Sequence, residues 1–135
     1  MLKWLKNASA MARLDQEISR LGASPAAIPK EMRGHLVEVI QKHVDAFSRN
    51  HPYAVGEVGD FNNSTFGIAA AVLFVTALSK DQATRVVGAY NYSLIVVAAK
   101  GNDSSPQGLL AKELCRACQQ RGARLHADFK TAVEA

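Results

Sequence analysis

Cys115 and Cys118 are the only cysteines in the chain, and His126 lies eight residues beyond them. A thiolate pair at this spacing is half of a zinc site, which takes about four Cys, His or carboxylate ligands. Only one pair exists here. His126 is the nearest third ligand, and a fourth must come from elsewhere. A redox pair of the same spacing sits at a helix N-terminus, where the dipole lowers the thiol pKa. Cys115 instead falls about two turns into a predicted helix. Both cysteines are therefore read as small core residues. Cys115, Cys118 and His126 are the metal candidates of the sequence.

Three further constellations carry less. Glu31, His35 and Glu38 can share one helical turn, but di-metal bundle sites use Glu-x-x-His on two helices, and the order here is reversed. They read as a solvated face. His43 falls on an apolar stripe and reads as a core or boundary residue that needs a hydrogen bond. Asp60, Asn62 and Ser64 alternate like the start of a calcium loop. Thr65 and Ala71 stand where that loop needs glycine and glutamate, so the match fails. No P-loop, dinucleotide fingerprint or nucleophile elbow is present. The expectation is therefore no catalytic residue, no cofactor and no enzyme. One stretch remains as a candidate ligand site: Tyr53, Glu57, Asp60 and Asn62, on a long irregular segment over 52–64, could line a pocket mouth beside Tyr90 and Tyr92.

Composition bounds the partners. The chain has 135 residues, 48% of them hydrophobic and 21% charged, with a formal net charge of +4. That is one domain, spanning 1–135, able to bury roughly two-thirds of its unfolded surface. The basic surplus sits near the two ends and is not interleaved with aromatics. The three tyrosines and one tryptophan show no stacking pattern, so nucleic acid is not favoured. Two cysteines make no disulfide framework, and no apolar run follows Lys3 and Lys6, which gives a cytoplasmic expectation.

The elements that would position these residues read as helices. Trp4, Met11, Leu14, Ile18 and Leu21 mark an amphipathic helix over 2–21, with Gly22 as its C-cap. Met32, Leu36, Val39, Ile40, His43 and Phe47 mark a second, from near Pro29 to Asn50. A third is expected over 65–79, capped by Asn63 or Ser64. Ser79 and Gln82 form a capping box for a fourth over 80–100, which ends at Gly101. Ser105-Pro106 opens the last helix, with Gly122 as its weak point. Leu94–Val97 has strong β-propensity, and a strand there is the alternative.

The third and fourth helices contain the two apolar blocks, Phe66–Leu78 and Val86–Ala99, and neither block carries a charge. A helix that is apolar all round must be buried in protein or in lipid. The blocks have thirteen and fourteen residues, against about twenty for a membrane span. Tyr90, Asn91, Tyr92 and Ser93 interrupt the second, and the mean hydropathy is −0.04. The reading is an all-α, single-domain bundle of about five helices around a central apolar hairpin (65–79, 80–100). Membrane insertion is disfavoured. The functional expectation is a non-enzymatic, self-associating protein-interaction or regulatory module, a homodimer. The alternatives are a small-molecule or lipid-binding bundle, and then a membrane-associated hairpin.

Overall fold

The computed structural model describes the backbone of 2–121 and 123–134 and the side chains of 7–119 and 127–133. Every regular element among these residues is helical. In chain order they are α1 (Leu2–Arg20), α2 (Lys30–Asn50), α3 (Val55–Ala77), α4 (Lys80–Val87), α5 (Ala89–Ala99), α6 (Pro106–Arg116) and α7 (Ala123–Glu134). A 3-10 turn, Pro25–Ala27, leads into α2, and a π-helical turn, Ala117–Arg121, joins α6 to α7. Leu94–Val97 lies inside α5, so the strand alternative is excluded.

The helix ends follow local chemistry. Gly22 has φ +100°, and Ala23 N–H donates to the Ile18 carbonyl, 3.3 Å, which closes α1. Ser79 and Gln82 bond reciprocally at the start of α4. The Ser105 hydroxyl accepts from Gly108 N–H, 3.1 Å, with Pro106 in the first turn of α6.

The centre departs from the expected hairpin in three ways. First, α3 begins at Val55, so the segment over 52–64 is mostly helical. Gly56 and Gly59 each weaken a helix by about 1 kcal/mol. Tertiary contacts offset this: Phe61 is buried, its ring stacked at 4.7 Å on Phe47 of α2, and Phe47 stacks in turn on His51 at 4.2 Å. Asn63 accepts from the Arg13 guanidinium of α1, 2.9 Å. Asn63 and Ser64 are therefore helix-interior residues rather than caps, and Ser64 returns its hydroxyl to the Phe61 carbonyl, 2.7 Å.

Second, the helix expected over 80–100 is two helices. Gly88, at φ +90°, ends α4 and begins α5. Its amide still donates to the Thr84 carbonyl, 2.8 Å, and its carbonyl receives Tyr92 N–H, 3.0 Å. That φ lies outside the range other residues adopt readily. Third, the last helix is interrupted by the π turn. Gly122, the expected weak point, lies outside the described residues.

The core forms around α3. Ala69 through Phe74, six residues in a row, are buried on every side. α1, α2, α4, α6 and α7 all pack on it, and α5 touches it more lightly. Leu14 and Ile18 come from α1, Met32, Leu36 and Ile40 from α2, and Leu110 and Leu114 from α6. The ring of Phe129 in α7 meets Phe74 edge-on at 5.4 Å. α1 is locked to α2 by Arg33, whose Nη1 reaches both carboxylate oxygens of Asp15 at 2.9 and 2.8 Å and whose Nε donates to the Ile28 carbonyl, 3.0 Å.

With 23 residues, α3 is the one described helix long and apolar enough to cross a membrane by length and composition. The earlier start removes the length argument against a span. What identifies it as a core helix is its enclosure by six neighbouring helices.

Candidate functional site

α5 behaves differently from α3. Its eleven residues, Ala89–Ala99, contain no charge, yet only Ile95 and Ala98 are buried. Tyr90, Leu94 and Val97, spaced four and three apart, form one outward stripe, exposed at 76%, 41% and 40%. Leu109 of α6, also exposed, adds to the apolar surface of this helical pair. The second apolar block is thus only partly covered. The cause is local: the corner at Gly88 turns the chain out of line with α4, and α5 then leans mainly on α6 rather than deep against α3.

A cleft lies along each flank of α5. One, about 400 Å³, is bounded by α3, α5, α6 and the end of α1. Gly67, Ala71, Ala98, Gly108 and Ala111 give it a lining of small residues. Its charged lining residues are Arg20, paired with Glu17 at 2.6 Å, and Asp103. Hydrogen bonds from the side chain and then the backbone of Ser105 hold the Asp103 carboxyl below its usual value. A Cβ on Gly108 would collide with Asp103, which explains glycine there. The other cleft, about 420 Å³, lies between α5, α6 and the last turns of α3. A third, about 180 Å³, lies between α1, α2 and α3 and is lined by Arg13, Asp45, Asn62 and Phe66 among others.

The six candidate ligand residues fall in different places. Tyr92 lines the 420 Å³ cleft and Asn62 the 180 Å³ cleft, so these two do not meet. Tyr53, 97% exposed, sits in the α2–α3 connection. Glu57 and Asp60 are exposed on the first turns of α3, and Tyr90 belongs to the α5 stripe. None of these three clefts gathers the set.

Of the metal candidates, Cys115 and Cys118 are free and buried against the core. Burial pushes the Cys115 thiol up to about 11 and the Cys118 thiol up to about 12, the latter despite a hydrogen bond with Thr76. Neutral thiols are poor ligands and poor nucleophiles. Among the described residues no group of three His, Cys, Asp or Glu is placed to hold a metal. The His126 side chain lies outside the described residues.

His35 and Glu38 face each other on α2 at 3.9 Å, with Glu38 and Glu31 exposed. His43 approaches Glu113 of α6, Nε2 to Oε1 3.3 Å, beside Lys42 at 3.5 Å from the same oxygen. The His43 contact lacks hydrogen-bond geometry, and its Nε2 makes no hydrogen bond among the described residues.

Two features could not be located from the sequence. Asp15 and Arg33 are 18 residues apart on different helices, and no spacing rule joins them. The α5 stripe was visible as apolar residues, but its exposure depends on the corner at Gly88. No protein-family model matches the chain, and neither the curated proteins nor the solved structures yield a match.

Proposed function

We propose that the protein is a non-enzymatic helical interaction module of the cytoplasm that pairs with a second copy of itself through the outer face of α5. The observation that carries this is the uncharged α5 with its exposed stripe Tyr90, Leu94 and Val97, packed on a helix, α6, that itself exposes Leu109. Contiguous exposed apolar residues on a small domain mark contact surfaces, and a self-complementary stripe suits a two-fold dimer. Tyrosine at the edge of such a stripe supplies area and one polar handle. The raised thiols support a non-enzymatic reading, because they offer no ready nucleophile. The cytoplasm is supported by both cysteines being free.

Native mass spectrometry tests this directly. The unaltered chain is expected to give a dimer, and Leu94→Asp/Val97→Asp a monomer with an unchanged helical circular-dichroism signal. A strict monomer at high protein concentration rules the dimer out.

A second reading, binding of a small apolar molecule, is favoured by the 400 Å³ cleft beside α5, a volume typical of ligand sites. Filling it with Ala71→Leu abolishes any thermal shift given by an apolar ligand, whereas Val97→Asp, on the stripe but outside the lining of this cleft, keeps that shift.

A further inference from the structure

The 420 Å³ cleft on the other flank of α5 combines an apolar patch with basic side chains. Val75 from α3 and Ile95, Val96 and Ala99 from α5 supply the apolar part. Lys100, Lys112 and Arg116 line the same space, and among the described residues no aspartate or glutamate does. Among the described residues none of the three cations has a carboxylate partner. Glu113, next to Lys112 in sequence, is engaged on the α2 side by Lys42 and His43.

Helix capping does not account for these charges. Cations favour a helix C-terminus, and Lys112 does reach the end of α5: a Cβ on Gly101 would stand 3.2 Å from Lys112 Nζ. Yet the carbonyls of Val96, Val97 and Ala98 there are already used. Gly101 N–H donates to Ala98, 2.9 Å, and Asn102 N–H to Val97, 3.1 Å, a complete glycine-ended closure. Arg116 stands one turn further along α6, away from that closure. Lys112 and Arg116 are four apart on one helix, where like charges repel. An anion between them relieves that repulsion, and the apolar lining gives its hydrocarbon part a place to lie.

We infer that this cleft binds a single-chain fatty carboxylate, its head held by Lys112 and Arg116 with Lys100 beside them, its chain along Ile95, Val96 and Val75. The site is independent of pairing through the α5 stripe, because Tyr90, Leu94 and Val97 do not line it.

Calorimetric titration with laurate, kept below its micelle concentration, tests the site, with dodecanol as the uncharged counterpart. Laurate is expected to bind at least about tenfold more tightly than dodecanol, and more weakly as salt is raised. Lys112→Gln/Arg116→Gln is expected to lower laurate affinity about tenfold, and Lys112→Arg/Arg116→Lys to retain it. Both cations reach solvent, so far-UV melting curves of the two variants should overlay that of the parent. Leu94→Asp/Val97→Asp should keep laurate binding whatever it does to the dimer. Equal affinity for laurate and dodecanol, or an unchanged laurate affinity in the Gln pair, overturns the inference. So does binding to phosphatidylglycerol vesicles without any binding of monomeric laurate, which would mark a bilayer-facing surface instead.

Discussion

In α3, six consecutive residues from Ala69 to Phe74 are closed off from solvent; in α5, which carries no charge at all, the only buried residues are Ile95 and Ala98. Both helices carry too little polar pattern to direct one face inward. What separates them is how many neighbours the chain supplies. α3 lies between helices that precede it and helices that follow it. α5 leaves the corner at Gly88 and is held chiefly by α6, with a cleft along each flank. Apolar composition says that a helix needs cover. Connectivity decides whether the same chain provides it.

The comparison is broken most severely from the α3 side. Phe74→Ala removes a ring packed against Phe129 and should cost about 3–5 kcal/mol in denaturant unfolding. Val97→Ala, on the α5 stripe, should cost under about 1 kcal/mol in monomeric protein. Similar losses at the two sites would mean that α5 is not the partly covered helix. Gly88→Ala comes next, at about 1–2 kcal/mol, because φ +90° is strained for any side chain. The same replacement at Gly56, which has open space and no positive φ, should be neutral or stabilising in thermal melts. Ser79→Ala removes the cap that starts α4 and should cost about 1 kcal/mol.

The smallest effect is set by pH. The Cys115 and Cys118 thiols are pushed up to about 11 and about 12 from 9.0, so each folded thiol stays protonated where the unfolded one ionises. Their stabilising contribution is full below pH 9 and is lost as pH rises from there through about 11 and 12. Chemical unfolding just above pH 9 should show a decline that Cys115→Ala/Cys118→Ala lacks.

The ends of the helices were readable because they depend on neighbours in sequence. Gly22, Gly101, Ser79 with Gln82, and Ser105 with Pro106 each do locally what their residue types dictate. The start of α3 was not readable. Gly56, Gly59, Asn62 and Asn63 favour turns, and it takes Phe47 and Arg13 from other helices to hold that segment helical. The corner at Gly88 was hidden for the opposite reason. A glycine inside an apolar run is compatible with a continuous helix, and residue type alone does not announce the positive φ at Gly88 that makes the break. For the candidate site, residue type pointed to apolar surface looking for cover. It did not point to α5 rather than α3, and the group from Tyr53 to Asn62 was placed by assuming a loop that is helix instead. The basic residues of the 420 Å³ cleft come from two helices, so no sequence spacing brought Lys100 to Lys112 and Arg116.

The contact between Phe74 and Phe129 also has a consequence in time. α3 ends at Ala77, and its last cover, α7, is not complete until about fifty residues later. At ~5–20 residues per second of synthesis, the most apolar part of the chain waits roughly 3–10 s for that ring to arrive. α1 and α2 can shield one side of α3 during this interval; the side facing α6 and α7 stays open. The order of helices along the chain thus sets an interval in which this apolar face exists before its cover does.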